Sequence, residues 1–131
     1  MIGIVVVTHS TLAREFIVAA EMIVGPAAQL QSVSIDRNVD VDAAQQRLSH
    51  TVEAVGLDGD GVIILTDMFG GTPTNISAEL LVKDQVEIVT GVNLPMLLKC
   101  ISARVGQDVA GLSALLKEYG RNAVIRPSEM L

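Results

Sequence analysis

The sequence predicts an α/β fold: a doubly wound, mainly parallel sheet of four strands with helices on both faces. Three observations carry that expectation. Ile2 to Val7 and Gly61 to Thr66 are β-branched or aliphatic runs without polar alternation, as expected of strands covered on both sides. Segments with apolar residues repeating every three to four positions stand between the strand-like runs, so strand and helix alternate along the chain. Half of the 131 residues are apolar, enough for a continuous core within one ordinary domain spanning residues 1–131.

In chain order, Ile2–Val7 is the first strand. Ser10 or Thr11 can cap the helix that follows, whose apolar positions Leu12, Phe16, Ala19 and Ile23 repeat at helical spacing until Gly25-Pro26. Leu30–Ile35 alternates weakly as a second strand. Asp40 or Asp42 then opens a helix with Val41, Ala44, Leu48, Val52 and Val55 on one face and Gly56 near its end. Gly61–Thr66 and Val86–Thr90 are the third and fourth strands, separated by a glycine-rich loop and a short helix around Ile76 to Val82. Pro95 suits the first turn of another helix, and Asp108 caps a last one carrying Leu112, Leu115, Leu116 and Tyr119. Asn122 to Arg126 reads as one more short strand with no evident partner.

Composition narrows the function. Nine Lys and Arg against fifteen Asp and Glu leave a net charge of −6, and the cations do not cluster, so a phosphate backbone is a poor partner. Phe16, Phe69 and Tyr119 are too few aromatics for a base-stacking surface. The lone cysteine, Cys100, offers neither a disulfide nor a metal framework and suits a reducing cytoplasm. No signal segment is expected at the amino terminus, and no apolar stretch is long enough to span a bilayer.

In open α/β sheets ligands gather beyond the carboxyl ends of the strands. Three segments are expected at that edge: Thr8-His9-Ser10-Thr11, Asp67 to Asn75, and Gly91 to Met96. His9 sits where a buried strand meets a helix start, a place that favours anions; its ring is either a nucleophile or a hydrogen-bond donor to a loop carbonyl. Asp67 ends the third strand and either orients an imidazole, fixing its tautomer, or caps a turn. Gly70 and Gly71 permit close approach of a ligand, and Thr72 before Pro73 suits a helix cap; an ordinary loop-to-helix entry fits them equally. Asn93 and Pro95 are read as structural, His50 as solvated surface, and Cys100 as a packed small hydrophobe.

Rival functions fail on missing residues. The first loop has no glycine and so no dinucleotide fingerprint, and no Gly-Lys-Ser/Thr loop is present for ATP. Three aromatics are few for gripping a flavin. A phosphorylated aspartate at Asp67 would need an acidic pair after the first strand to hold magnesium, where Thr8-His9 stands instead. A histidine, a carboxylate, glycines and helix ends can pass a phosphoryl group with no metal, nucleotide or other cofactor, and none is expected.

Here the chain resembles the enzyme IIA component of the mannose-type (mannose/fructose/sorbose) sugar phosphotransferase system. The resemblance rests on His9 at the end of the first strand, on Asp67-Met68-Phe69-Gly70-Gly71-Thr72-Pro73-Thr74-Asn75, and on Gly91-Val92-Asn93-Leu94-Pro95-Met96, in that order. It implies that His9 takes a phosphoryl group from the histidine phosphocarrier protein and gives it to an enzyme IIB component, for sugar uptake. It implies that Asp67 stands beside the ring, that Ser10, Gly70, Gly71 and Thr72 border the phosphate, and that Met68 and Phe69 offer docking surface. It further implies a homodimer in which a fifth, antiparallel strand is exchanged, which would give residues 122–126 their partner.

Two departures from the family pattern stand out. No Ala-Pro-rich linker to a IIB domain occurs before Leu131, so IIB is expected to be a separate partner or absent. Asp36-Arg37-Asn38-Val39-Asp40 replaces a Pro-Gly turn, and that segment is expected to lie away from the phosphorylation site. Two other roles fit the same residues: a regulatory protein whose His9 phosphorylation controls binding to a target, and a phosphoryl donor to a dihydroxyacetone kinase.

Overall fold

The computed structural model describes residues 1–131. Its elements are β1 (Gly3–His9), α1 (Leu12–Val24), β2 (Leu30–Ile35), α2 (Val41–Val55), β3 (Val62–Thr66), α3 (Thr72–Ala78), β4 (Val86–Val89), α4 (Leu94–Ala103) and α5 (Val109–Asn122). A short 3₁₀ turn, Pro127–Met130, ends the chain. The four strands form one sheet in the order β2-β1-β3-β4, and every neighbouring pair is parallel. The expected architecture is therefore present.

The period-two geometry of a strand divides its side chains between two cores. Ile4, Val6, Ile63 and Leu65 face one side, where α1, α4 and α5 cover them with Ala13, Ala20, Leu97, Leu112 and Leu116. Val5, Val7, Val33, Val62 and Ile64 face the other, under Ala44, Leu48 and Val55 of α2 and Ile76 of α3. Because β1 and β3 are central, their residues are buried on both faces, which explains the unbroken apolar runs of the sequence.

Helix α1 corrects the expected stripe. Its core-facing residues are Ala13 and Ala20, with Phe16 and Ile17 packed beside them, while Leu12 and Ile23 are exposed. The two alanines are the fully buried positions of the helix, and Val18, Met22 and Val24 are exposed with Leu12 and Ile23. The start of α1 also differs from expectation. Thr11 holds the cap position without a side-chain bond, Ser10 has φ +53°, and it is the buried Thr8 whose Oγ1 accepts from the Ala13 N–H at 2.6 Å.

Asp40, rather than Asp42, caps α2, accepting from the N–H groups of Asp42 and Ala43. Asn93 caps α4 through the Met96 N–H and also donates from Nδ2 to the Gly120 carbonyl, which ties α4 to α5. Helix α3 begins at Thr72, four residues before the expected position, with Gly71 at the cap and Pro73 in the first turn. Thr72 is thus a helical residue and not the cap. Asn122 belongs to α5, and residues 124–126 pair with no strand of this chain, with Val124 and Ile125 exposed. No helix is long and apolar enough to cross a membrane.

Candidate functional site

Strands β1 and β3 lie side by side, but the chain leaves β1 into α1 on one face of the sheet and β3 into α3 on the other. The diverging connections open a crevice between the two carboxyl ends, the switch point at which such sheets bind ligands. His9 is the last residue of β1, and Asp67 directly follows β3.

The two side chains meet across 58 residues of sequence. The Asp67 Oδ2 lies 2.8 Å from His9 Nδ1 and also accepts the His9 backbone N–H at 3.0 Å. An ionised carboxylate only accepts hydrogen bonds, so the neutral ring carries its proton on Nδ1 and leaves the lone pair on Nε2. Partial burial pushes the Asp67 carboxyl upward, but hydrogen bonds from the His9 ring and backbone outweigh it and hold the group below its ordinary value. The aspartate is accordingly charged at neutral pH. Exposure is divided in a useful way: the Asp67 side chain is 14% accessible and the His9 side chain 49%.

The loop after β3 is shaped to admit the ring. A Cβ built on Gly71 would stand 2.7 Å from His9 Cε1 and 3.2 Å from Nε2, so the ring in this position fills the space a side chain at 71 would need. Gly70 turns the chain with φ +89°. Buried Thr66 and Thr74 share a hydrogen bond of 2.7 Å, and Thr74 Oγ1 donates onward to the Met68 carbonyl at 2.6 Å. That hydroxyl chain pins the loop to the strand end, and the Val92 N–H adds a bond to the Thr66 carbonyl.

A cavity of about 550 Å³ opens beside the ring, bounded by His9, Ser10 and Thr72 on one side and by Ile35, Asp36, Arg37 and Val39 on the other. The segment 36–40 therefore lines the site, contrary to expectation. The cause is register: His9 pairs with Ile35 in the parallel ladder, and the Ser10 N–H donates to the Ile35 carbonyl at 2.9 Å, so the turn after β2 is held next to the loop after β1.

Of the residues singled out in the sequence, His9, Asp67, Ser10, Gly71 and Thr72 come together. Gly70 is exposed at the turn. Met68 is half exposed, and its Cγ lies near the edge of Gly71. Phe69 is 81% exposed and does not border the His9 cavity; it lines a separate groove with Leu81, Ile88 and Lys117 along β4. Sequence reasoning missed Thr8, Thr66, Thr74 and Arg37. The two threonines near the strand ends carried a usable signal, a hydroxyl residue after an otherwise apolar run and directly before His9 in β1 and before Asp67 after β3.

A profile of the family described as "PTS system fructose IIA component" matches residues 3–117. The chain belongs to the mannose-type enzyme IIA family of the sugar phosphotransferase system. Among its relatives, the mannose-specific EIIAB component of Escherichia coli K12 is 30% identical over 94% of this chain and 38% of its own length. The chain thus spans well under half of that relative. The sorbose-specific EIIA component of Lacticaseibacillus casei is 31% identical over 88% of this chain and 86% of its own. In three dimensions, the mannose/sorbose-specific IIA subunit of Enterococcus faecalis superposes with a TM-score of 0.84 at 27% identity, covering 95% of this chain and 93% of that one. The four-stranded parallel sheet is the fold of this enzyme IIA family.

Proposed function

We propose that this enzyme IIA chain is a cytoplasmic phosphohistidine carrier, one domain over residues 1–131, with His9 Nε2 as the atom that bears the phosphoryl group. The observation that supports it most directly is the His9–Asp67 pair, which keeps the proton of the neutral ring on Nδ1 and leaves a lone pair on Nε2 of a half-exposed side chain. In the forward step that lone pair attacks the phosphorus of the phosphohistidine on the histidine phosphocarrier protein. The donor P–N bond breaks, its electron pair returns to the donor imidazole, and a new Nε2–P bond forms. Charge that builds on the ring is offset by the Asp67 carboxylate, the role an orienting carboxylate plays beside a catalytic histidine. The second step is the same exchange in reverse, onto an enzyme IIB component.

No metal, nucleotide or other cofactor is needed by this scheme, because a phosphohistidine is itself the donor and positioning with electrostatics supplies the rest. Ser10 and Thr72 border the space the phosphoryl group would enter, while exposed Met68 and Phe69 offer apolar area for a transient partner. We also propose a homodimer with an exchanged strand. Support comes from β4, whose only strand partner is β3 and whose other edge is bonded only at Val86, to Val82, and from the exposed, unpaired Val124 and Ile125.

The test is intact mass after incubation with phosphoenolpyruvate, enzyme I and the phosphocarrier, with a His9→Ala variant alongside. One acid-labile phosphoryl increment, lost in the variant, is expected. Its absence from the parent protein would refute the carrier role. An increment that no IIB component can accept would leave phosphorylation in place and redirect the function to regulation.

A further inference from the structure

We propose that Arg37 contacts the phosphoryl group on His9 and stabilises its transfer; this rests on the carrier reading given above. Phosphorylation of Nε2 adds close to two negative charges at neutral pH. They would arrive beside an ionised Asp67, in a chain whose net charge is already −6. A cation at the mouth of the site would offset that repulsion, and the molecule has few to spare.

The positions of the nine Lys and Arg residues single out one. Arg104 is buried and donates to the carbonyls of Ile2, Ala28 and Gln29, at the amino ends of the strands. Arg47 donates to the Ser34 carbonyl, Lys99 sits over the Tyr119 ring, and Arg121 and Arg126 pair with Glu118 and Glu129. Of all the cations, Arg37 alone borders the cavity that holds His9. Its guanidinium makes no hydrogen bond or ion pair within the chain, even though Asp36 and Asp40 are close in sequence.

The backbone holds Arg37 in place. The Val39 N–H donates to the Asp36 carbonyl at 3.2 Å, closing a turn with Arg37 and Asn38 at its centre. That turn follows Ile35, the ladder partner of His9, so its tip residue stands on the wall of the cavity that His9 also lines. A planar guanidinium matches the non-bridging oxygens of a phosphoryl group with two N–H donors. During transfer Arg37 supplies charge and N–H donors and moves no proton. Asp36, on the same cavity wall, weakens the field of Arg37 without cancelling its donors.

The test uses the whole chain in a His50→Gln background, which removes the second histidine, an exposed one. Arg37→Gln and Arg37→Lys are compared with that parent. Phosphoramidate serves as a small donor with no docking surface, and the phosphocarrier as the protein donor. With both donors, Arg37→Gln is expected to slow His9 phosphorylation about tenfold, the scale of one charge-assisted hydrogen bond at an exposed site. Arg37→Lys should recover part of the rate, and the ³¹P shift of the phosphohistidine should move in Arg37→Gln. An Arg37→Gln rate within twofold of the parent, with the parent phosphorylated, overturns the contact. So does a defect confined to the protein donor, which would assign Arg37 to docking. A parent that takes no phosphoryl group at His9 from either donor overturns the carrier reading itself, and the contact with it.

Discussion

Replacing Gly71 by alanine tests whether ring placement controls this site. Gly71 has φ −89° and ψ 169°, a conformation any residue adopts, so the substitution strains nothing in the backbone. Its effect is steric. The new Cβ would stand 2.7 Å from His9 Cε1, whereas carbon atoms in good contact are about 3.5–4.0 Å apart, so ring and loop must separate by roughly 0.8 Å. A shift of that size away from the loop carries Nδ1 off its 2.8 Å bond to Asp67 and moves Nε2 out of line. Misplacement by about 1 Å can cost a factor of about 100 in rate. Folding stability should change by less than about 2 kcal/mol, since the entropic gain of Gly→Ala partly offsets a weakened charge-assisted bond. The assay is the time course of phosphoryl acquisition by intact mass, with ¹⁵N shifts of the His9 ring read in parallel. A Gly71→Ala protein that is phosphorylated at the parent rate, with the Nδ1 proton still bonded, would refute the reasoning.

Three further predictions concern other residues. The Asp67 carboxyl lies below its ordinary value of 3.8 in the folded protein, so the stability its charge provides is present above that pH and is lost as pH falls through the lower native value. The thermal-stability advantage of the parent over Asp67→Asn should therefore shrink below about pH 3.8; an unchanged gap between pH 7 and pH 3 would contradict the pairing. Arg104→Met removes donors to three main-chain carbonyls at the amino ends of β1 and β2, and should cost about 2–4 kcal/mol in urea unfolding while leaving His9 phosphorylation intact. Burial pushes the Cys100 thiol up to about 12, with Arg104 opposing, so an aromatic disulfide reagent at pH 8 should leave the folded protein untouched and react only on unfolding.

The strands were legible because burial on both faces writes a local signature. Ile2–Val7, Leu30–Ile35, Gly61–Thr66 and Val86–Thr90 each fall within a residue or two of β1 to β4. The chemistry at the strand ends was legible for the same reason: a histidine and an aspartate that interrupt apolar runs stand out where they occur. Helix α1 was harder, since both of its faces carry apolar residues and composition alone could not tell the alanine stripe that fits the sheet from the aliphatic stripe that is left exposed.

By itself, then, the sequence determined the β-α order, the two cores and the pair of residues that could do phosphoryl chemistry, because each depends on the spacing of neighbours along the chain. Only the tertiary structure decided that Asp67 grips Nδ1, that the His9 ring packs against Gly71, and that Arg37 borders the same cavity. Those facts follow from strand order and register, which bring positions 9, 37, 67 and 71 to one edge of the sheet. Pairing between strands is set by the fit of whole surfaces, and no short stretch of sequence contains it.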